Sequence, residues 1–250
     1  MFETEAIRRP RRIRRRYRVL VMAAAVIPLL AVGSDFGVRT YAESQTAHAF
    51  QDATGTATPP KVHIRGFPFL TQATRGNLDR VDISAQQIPA GTDSPVPISK
   101  LDVDMRKLKR NSDANTAHAG SATATAFVSY QDLTNALGLD VTAGSTPGRM
   151  NASLSIPVIG DITVSAAVTK GGPTSIAFKV LGISANQLPE SVRKSIDKTF
   201  EKKIPLQNLP KGLTLDRIST ESSGIFVTLS GHDVTFKPSG TSGTPGSSAA

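Results

Sequence analysis

The chain has 250 residues, no cysteine and no tryptophan, and a formal net charge of +9. Without cysteine there is no disulfide framework, no thiolate metal site and no lipobox. The charge does not mark a nucleic-acid binder, because residues 1–39 hold nine Lys/Arg against three Asp/Glu and leave only +3 for everything after them.

That N-terminus carries Arg8, Arg9, Arg11, Arg12, Arg14, Arg15, Arg16 and Arg18, followed at once by the apolar run Val19 to Gly33. A basic segment followed by an apolar run is a targeting pattern. The run is short of the ~20 residues of a comfortable span and contains Pro28. It therefore suits a cleavable signal peptide, with Ala31-Val32-Gly33 as the small-residue site, and equally a short uncleaved signal anchor. With the arginines held on the cytoplasmic side, residues beyond Ser34 are expected outside the cytoplasmic membrane. The expected organisation is a basic cytoplasmic segment (1–18), a signal peptide or anchor (19–34), a helical stalk and linker (35–59), a folded body (60–237) and a disordered tail (238–250).

Asp35 to Gln51 is rich in Ala and has the composition of a helix, and Asp52 to Pro60 (DATGTATPP) that of a linker. The body is dominated by period-two alternation, in which Leu101, Val103 and Met105 alternate with Asp102, Asp104 and Arg106, and Met150, Ala152, Leu154, Ile156 and Val158 with polar partners and Pro157. Further strands are predicted over 61–65, 67–75, 81–87, 121–128, 161–169, 174–183, 213–219 and 224–236. Two helices interrupt them, Tyr130 to Leu137 and Pro189 to Glu201. The second has Val192, Ile196 and Phe200 at i, i+4 and i+8.

An antiparallel sheet this long, with one helix to cover its apolar face, must curl to bury that face. The predicted fold is α+β, a long, strongly curved antiparallel sheet wrapped around a helix. The apolar face is small and aliphatic, so its interior is either a weak core or a cavity. The stretch IRGFPFLTQ fits the rim of such a sheet: Gly66 and Pro68 interrupt a ladder, and Phe67 and Phe69, with Leu70 beside them, are expected on one face. Candidate lining residues are Leu154, Ile156, Val164, Phe178, Val227 and Leu229, with Val192, Ile196 and Phe200 of the helix.

Catalytic machinery is thin. His48, His63, His118 and His232 lie in separate segments without metal-ligand spacing, and no nucleophile elbow or phosphate-cradling glycine loop occurs. Asp102-Val103-Asp104 has the Asp-x-Asp form that holds a divalent metal in sugar-nucleotide transferases, but on a strand both carboxylates project to the polar face. Lys194, Lys198, Lys202 and Lys203 suit a solvated helix face or attraction to anionic headgroups. No catalytic residue, metal or cofactor is expected.

The basic leader, GSDFGVRTYAES, IRGFPFLTQATRG with LDRVDISAQQIP, and IPLQNLPKGLTLDRI with GIFVTLSGHDVTF together resemble the LmeA family of actinobacterial phospholipid-binding envelope proteins. The resemblance covers almost all of residues 19–236. It implies a tubular lipid-binding (TULIP-like) architecture and a non-enzymatic protein that binds, transfers or presents phospholipid at the outer face of the cytoplasmic membrane, supporting lipid and lipoglycan maturation. Its implied partners are phospholipid, an anionic membrane surface and an envelope protein, with no nucleic acid. The alternatives are a glycosyltransferase-like envelope enzyme built on Asp102 and Asp104, and a structural subunit with a filled core. The tail from Ser239 to Ala250 has no residue able to build a core. Its deletion is expected to leave the melting temperature and any ligand binding unchanged, and a loss of several degrees in calorimetry would contradict this.

Overall fold

A computed structural model describes residues 12–90, 96–110, 116–156, 160–184, 189–190, 193–194, 198, 203–206 and 209–236, with side chains from residue 33 onward except those of Ile156, Ile204 and Pro205. In chain order the elements are α1 (Arg12–Thr54), β1 (Lys61–Arg65), α2 (Phe69–Thr74), β2 (Asn77–Ile88), β3 (Ile98–Arg110), β4 (Ala117–Ser129) and α3 (Tyr130–Leu137). Then follow β5 (Asp140–Ala143), β6 (Arg149–Ile156), β7 (Gly160–Gly172), β8 (Ser175–Ser184), β9 (Ile204–Pro205), β10 (Lys211–Thr220) and β11 (Gly224–Phe236). The strands form two antiparallel sheets, one of six strands in the order β1-β2-β3-β4-β11-β10 and one of five in the order β5-β6-β7-β8-β9. The α+β, antiparallel expectation holds. The single, strongly curled sheet does not: neither sheet closes on itself, and the free edge of β4 is taken by β11 while α3 turns the chain away into the second sheet.

Register sorts the side chains of the six-stranded sheet. One row of paired residues crosses all six strands as Val62, Ile83, Val103, Ala124, Leu229 and Leu215. The next row, on the opposite face, reads His63, Asp82, Asp104, Thr123, Ser230 and Thr214. A one-residue slip would exchange the two faces. The alternation changes phase at one level on four neighbouring strands, where pairing steps over Asp79, Lys107, Gly120 and Asp233; β2 and β3 step again over Gln87 and Ser99, and β10 has register shifts of its own against β11. Lys107 and Asp233 adopt φ of 51° and 53° at the shared level. Beyond that line the inward residues are Leu78, Leu108, Ala119 and Val234, the last two with no exposed surface. No strand gains a residue over its neighbour at this bulge line, since the pairs on either side of it keep one register.

The second sheet has its own apolar row, Val141, Ala152, Val164 and Ile183. Both sheets feed one hydrophobic cluster, in which Met150, Ala166 and Val168 meet Leu213, Leu215, Val227 and Leu229. Backbone bonds fasten the junction: Leu215 N–H donates to Pro173 O at 2.6 Å, and Gly148 N–H donates to Thr220 Oγ1 at 2.7 Å. α3 adds Tyr130 and Leu133 to the core. Its start is capped by Ser129, whose Oγ accepts from Asp132 N–H at 3.0 Å, and Gly138 ends it at φ 66°. A fully buried leucine such as Leu215 is worth ~2–5 kcal/mol against alanine. Of the second predicted helix, Glu190, Arg193, Lys194 and Lys198 are helical; Val192, Ile196 and Phe200 lie outside the described residues.

The helix expected over 35–51 is part of α1, a single helix of 43 residues that reaches Thr54, into the stretch assigned to the linker. It runs along the outer edge of β1. Glu43 Oε1 accepts from Ile64 N–H at 2.7 Å, giving that edge amide a partner. Asp35, itself 6 % exposed, accepts from Phe69 N–H at 2.9 Å and from Leu70 N–H at 2.7 Å. These two bonds explain why the strand expected over 67–75 is a turn followed by α2, since the carboxylate satisfies the first amides of a helical turn. Gly66, at φ 106°, makes the approach, and a Cβ there would collide with the Gln72 side chain and lie 2.8 Å from Asp79 Oδ2.

Replacing Asp35 with Ala leaves two amides without acceptors, so a loss of ~1–3 kcal/mol is expected, with faster hydrogen exchange at Phe69 and Leu70. Asn, which keeps one acceptor oxygen, should fall between. Unchanged exchange at both amides in the Ala variant would refute the clamp.

Candidate functional site

The polar face of the six-stranded sheet is a lattice of ion pairs. Arg65 bonds Asp82; Arg80 Nε lies 2.8 Å from Asp82 Oδ1, and its Nη2 lies 2.5 Å from Asp104 Oδ2. Arg106 Nε lies 3.1 Å from Asp104 Oδ1. Asp102 pairs with Lys100 at 2.7 Å and accepts from Ser84 Oγ at 2.7 Å. Burial pushes the Asp82 carboxyl up, but hydrogen bonds from Arg65 and Arg80 outweigh it and hold the group below its ordinary value. Asp102 is likewise lowered, with bonds from Lys100 and Ser84 overcoming partial burial. The hydrogen bond to Asp82 raises the Arg80 guanidinium.

A shallow depression of about 270 Å³ lies over this lattice, between Lys61, His63, Arg80, Asp102, Asp104 and Thr125. The Asp-x-Asp pair is thus on the outer face, as its strand position implied, and each carboxylate already holds cations. Among the described residues no group of three or more His, Cys, Asp or Glu is placed to hold a metal. His118 Nε2 lies 3.4 Å from Asp233.

The sequence-predicted lining residues fall into three places. Val227 and Leu229 sit on the apolar face of the six-stranded sheet, opposite Ala126 and Ala124, each 8 % exposed. Leu154, Val164 and Phe178 lie on the apolar face of the five-stranded sheet; Val164 is buried, Phe178 half-buried and Leu154 exposed. Ile156 is at the end of β6 on the same strand. Phe67, Phe69 and Leu70 stand at the end of the sheet near the bulge line. Phe67 and Phe69 do not share a face: α2 turns Phe69 into the core, 4 % exposed, and leaves Phe67 69 % exposed.

Further residues belong beside these. Ile83, Leu101 and Val103 continue the apolar face onto β2 and β3 and are only half-buried. Their alternation is legible in the sequence, but their incomplete cover is not. The floor between them and Val227 and Leu229 is the alanine row Ala122, Ala124 and Ala126 of β4, which lowers the middle of the face relative to its leucine and valine borders. Burial raises the Tyr130 phenol, offset in part by Thr220.

This is a β-rich protein with two aliphatic faces joined in one core, a charge-saturated outer surface, and no nucleophile-and-base constellation in its sequence. The chain belongs to the LmeA-like phospholipid-binding family, whose model matches residues 33–230. No curated protein and no solved structure matches it.

The lattice sets an acid dependence. Asp82 and Asp102 have folded values below the unfolded 3.8, so the stability they contribute is present above that value and lost as pH falls through the folded one. Between about pH 5 and pH 2 the wild type should lose more stability than Asp82→Asn in urea titrations. The difference should be no more than ~1 kcal/mol, because the pairs are solvated. Parallel losses in the two proteins would show that Asp82 contributes nothing.

Proposed function

We propose that the protein binds phospholipid through the joined apolar faces of its two sheets, without catalysing a reaction, and passes or presents it at the outer face of the cytoplasmic membrane in support of envelope lipid and lipoglycan maturation. Family membership over residues 33–230 carries this reading. The faces supply its chemistry. Acyl chains lie against the half-buried Ile83, Leu101 and Val103 on one sheet and Leu154, Phe178 and Val180 on the other, above the alanine floor of β4. Each methylene removed from water is worth ~0.8 kcal/mol, so an aliphatic seat lets a lipid leave a bilayer at small net cost. Outward placement is supported by the arginine cluster that precedes the apolar run. The pairing of Asp102 and Asp104 with Lys100, Arg80 and Arg106 favours a stabilising role for these carboxylates over a metal-holding one.

The test is native mass spectrometry of the purified full chain, with lipid exchange against vesicles. Leu154 is 43 % exposed, so Leu154→Asp places a carboxylate where water can reach it and the fold should survive. Bound phospholipid should be lost in Leu154→Asp and reduced in Val103→Trp, with melting temperatures near that of the wild type. Phospholipid absent from the wild type, or retained at wild-type level in both variants, would show that these faces are core and not a seat.

A further inference from the structure

The two ends of the six-stranded sheet differ in chemistry. At the end that carries α2 stand Phe67 and Leu70, 69 % and 36 % exposed. The Asp35 clamp holds α1 against α2, which brings Phe36 close by; Phe36 is 64 % exposed, and Val38 and Tyr41, the next apolar residues on α1, are 44 % and 66 % exposed. Val38 and Tyr41, three apart, share one side of the helix and Phe36 lies on another, with Arg39 between them paired to Glu43 at 3.3 Å. The same end of the strands presents Arg75, Lys107, Lys109, Arg110 and Lys211, all exposed and none in an ion pair among the described residues, whose acids at this end are Asp79 and Asp233. The opposite end, with α3, carries Asp132, Asp140 and Glu221 beside Lys61 and Lys100.

α1 gives the exposed apolar group its context. The helix passes from Asp35 at α2, past Glu43 at the middle of β1, to Gly55 beside Pro89, so its N-terminal part leaves the body at the α2 end. That part is continuous helix back to Arg12 and contains the apolar run Val19 to Gly33 behind the arginine cluster. Among the described residues no helix is long and apolar enough to cross a membrane. The apolar character nevertheless continues past the run, through Phe36 and Val38 to Tyr41, while the charge of Asp35 is turned inward onto two amides.

We propose that the α2 end of the six-stranded sheet is a membrane-docking surface, in which Phe36, Tyr41, Phe67 and Leu70 enter the headgroup region of an anionic bilayer and Arg75, Lys107, Lys109, Arg110 and Lys211 form a basic rim around them. Aromatic side chains at the level of the headgroups and lysines and arginines facing anionic lipid are the chemistry of such a contact. The proposal rests on the phospholipid-handling reading above and adds to it the face by which the body meets the bilayer. It also fixes orientation: the strands stand away from the membrane, with the acidic α3 end outermost.

The absence of tryptophan provides a clean reporter. Full-length protein carrying Phe67→Trp, and separately Leu137→Trp at the exposed end of α3, is reconstituted into vesicles of phosphatidylcholine and phosphatidylglycerol with brominated acyl chains. The expected result is a blue shift and loss of emission for Phe67→Trp and neither for Leu137→Trp. Reversing Arg75, Lys109 and Arg110 to Glu in the Phe67→Trp background should remove any difference in quenching between anionic and pure phosphatidylcholine vesicles. Equal quenching at both reporters, an unquenched Phe67→Trp, or an anionic preference that survives charge reversal overturns the proposal. Native mass spectrometry of the same samples separates the two ideas: bound lipid with an unquenched Phe67→Trp sinks the docking surface alone, while quenching without bound lipid sinks the lipid seat alone.

Discussion

The architecture depends on a register that β2, β3, β4 and β11 keep through a shared change of phase. Up to the bulge line, inward positions are Val81, Met105, Ala122 and Gly231; beyond it they are Leu78, Leu108, Ala119 and Val234. Had the extra residue occurred in one strand only, that strand's apolar side chains past the bulge would have faced water while its neighbours' faced the core. Because the step occurs on four adjacent strands together, the core continues across it. Gly120 shows how tight the step is, as a Cβ there would lie 3.2 Å from Lys107 Cβ.

Asp35 joins this sheet to the N-terminal helix. Without the clamp, α1 would touch the sheet through the Glu43 bond and small contacts such as Ala42 and Ala47, which are weak holds on so long a helix. With it, the segment that leads toward the arginines is fixed to the same corner of the body as the exposed Phe67. A carboxylate buried at this level would be costly alone; here it has two amide donors and removes a charge from the apolar length of α1.

Much of this was legible in the sequence. Alternation located most of the strands, and the helix read over Tyr130 to Leu137 is α3, which the structure shows capped by Ser129 and ended by Gly138. The phase change is also written there, as Met105 to Leu108 and Gly231 to Val234 break period two. What failed depended on distant residues. IRGFPFLTQ was read as an edge strand because nothing within it shows that Asp35, more than thirty positions earlier, will cap Phe69 and Leu70. The split into two sheets was equally hidden, since alternation records which face a residue takes and not which strand lies beside it. Among the candidate lining residues, Val164, Val227 and Leu229 lie buried on apolar faces as alternation implies, and Phe69 packs in the core instead of sharing a face with Phe67 for that same reason. Phe36 and Tyr41 were passed over because in a helix-compatible stretch an aromatic carries no sign of being left uncovered.

The dimensions of the apolar face agree with the use proposed for it. From Leu101 to Leu108 the inward residues of β3 cover eight positions, or ~26 Å at the rise of a strand. One leaflet of hydrocarbon is about half of a ~30 Å core. The inward residues nearest the α2 end, Val81, Met105, Ala119 and Val234, are buried in the core, so the seat proposed above lies on the half-buried Ile83, Leu101 and Val103 toward the α3 end of the face. The polar face offers no comparable seat, because its carboxylates and cations are already bonded to one another. Headgroup contacts in the docking proposed above would fall to the exposed cations at the α2 end of the strands, beside the exposed Phe67 and Leu70. The sheet keeps its charges paired along one face, while among the described residues the cations Arg75, Lys107, Lys109, Arg110 and Lys211 at one end are in no ion pair. In such a protein, neutralising Arg110 or Lys109 would weaken membrane contact without loosening the core, whereas neutralising Arg80 would disturb the lattice and leave membrane contact intact.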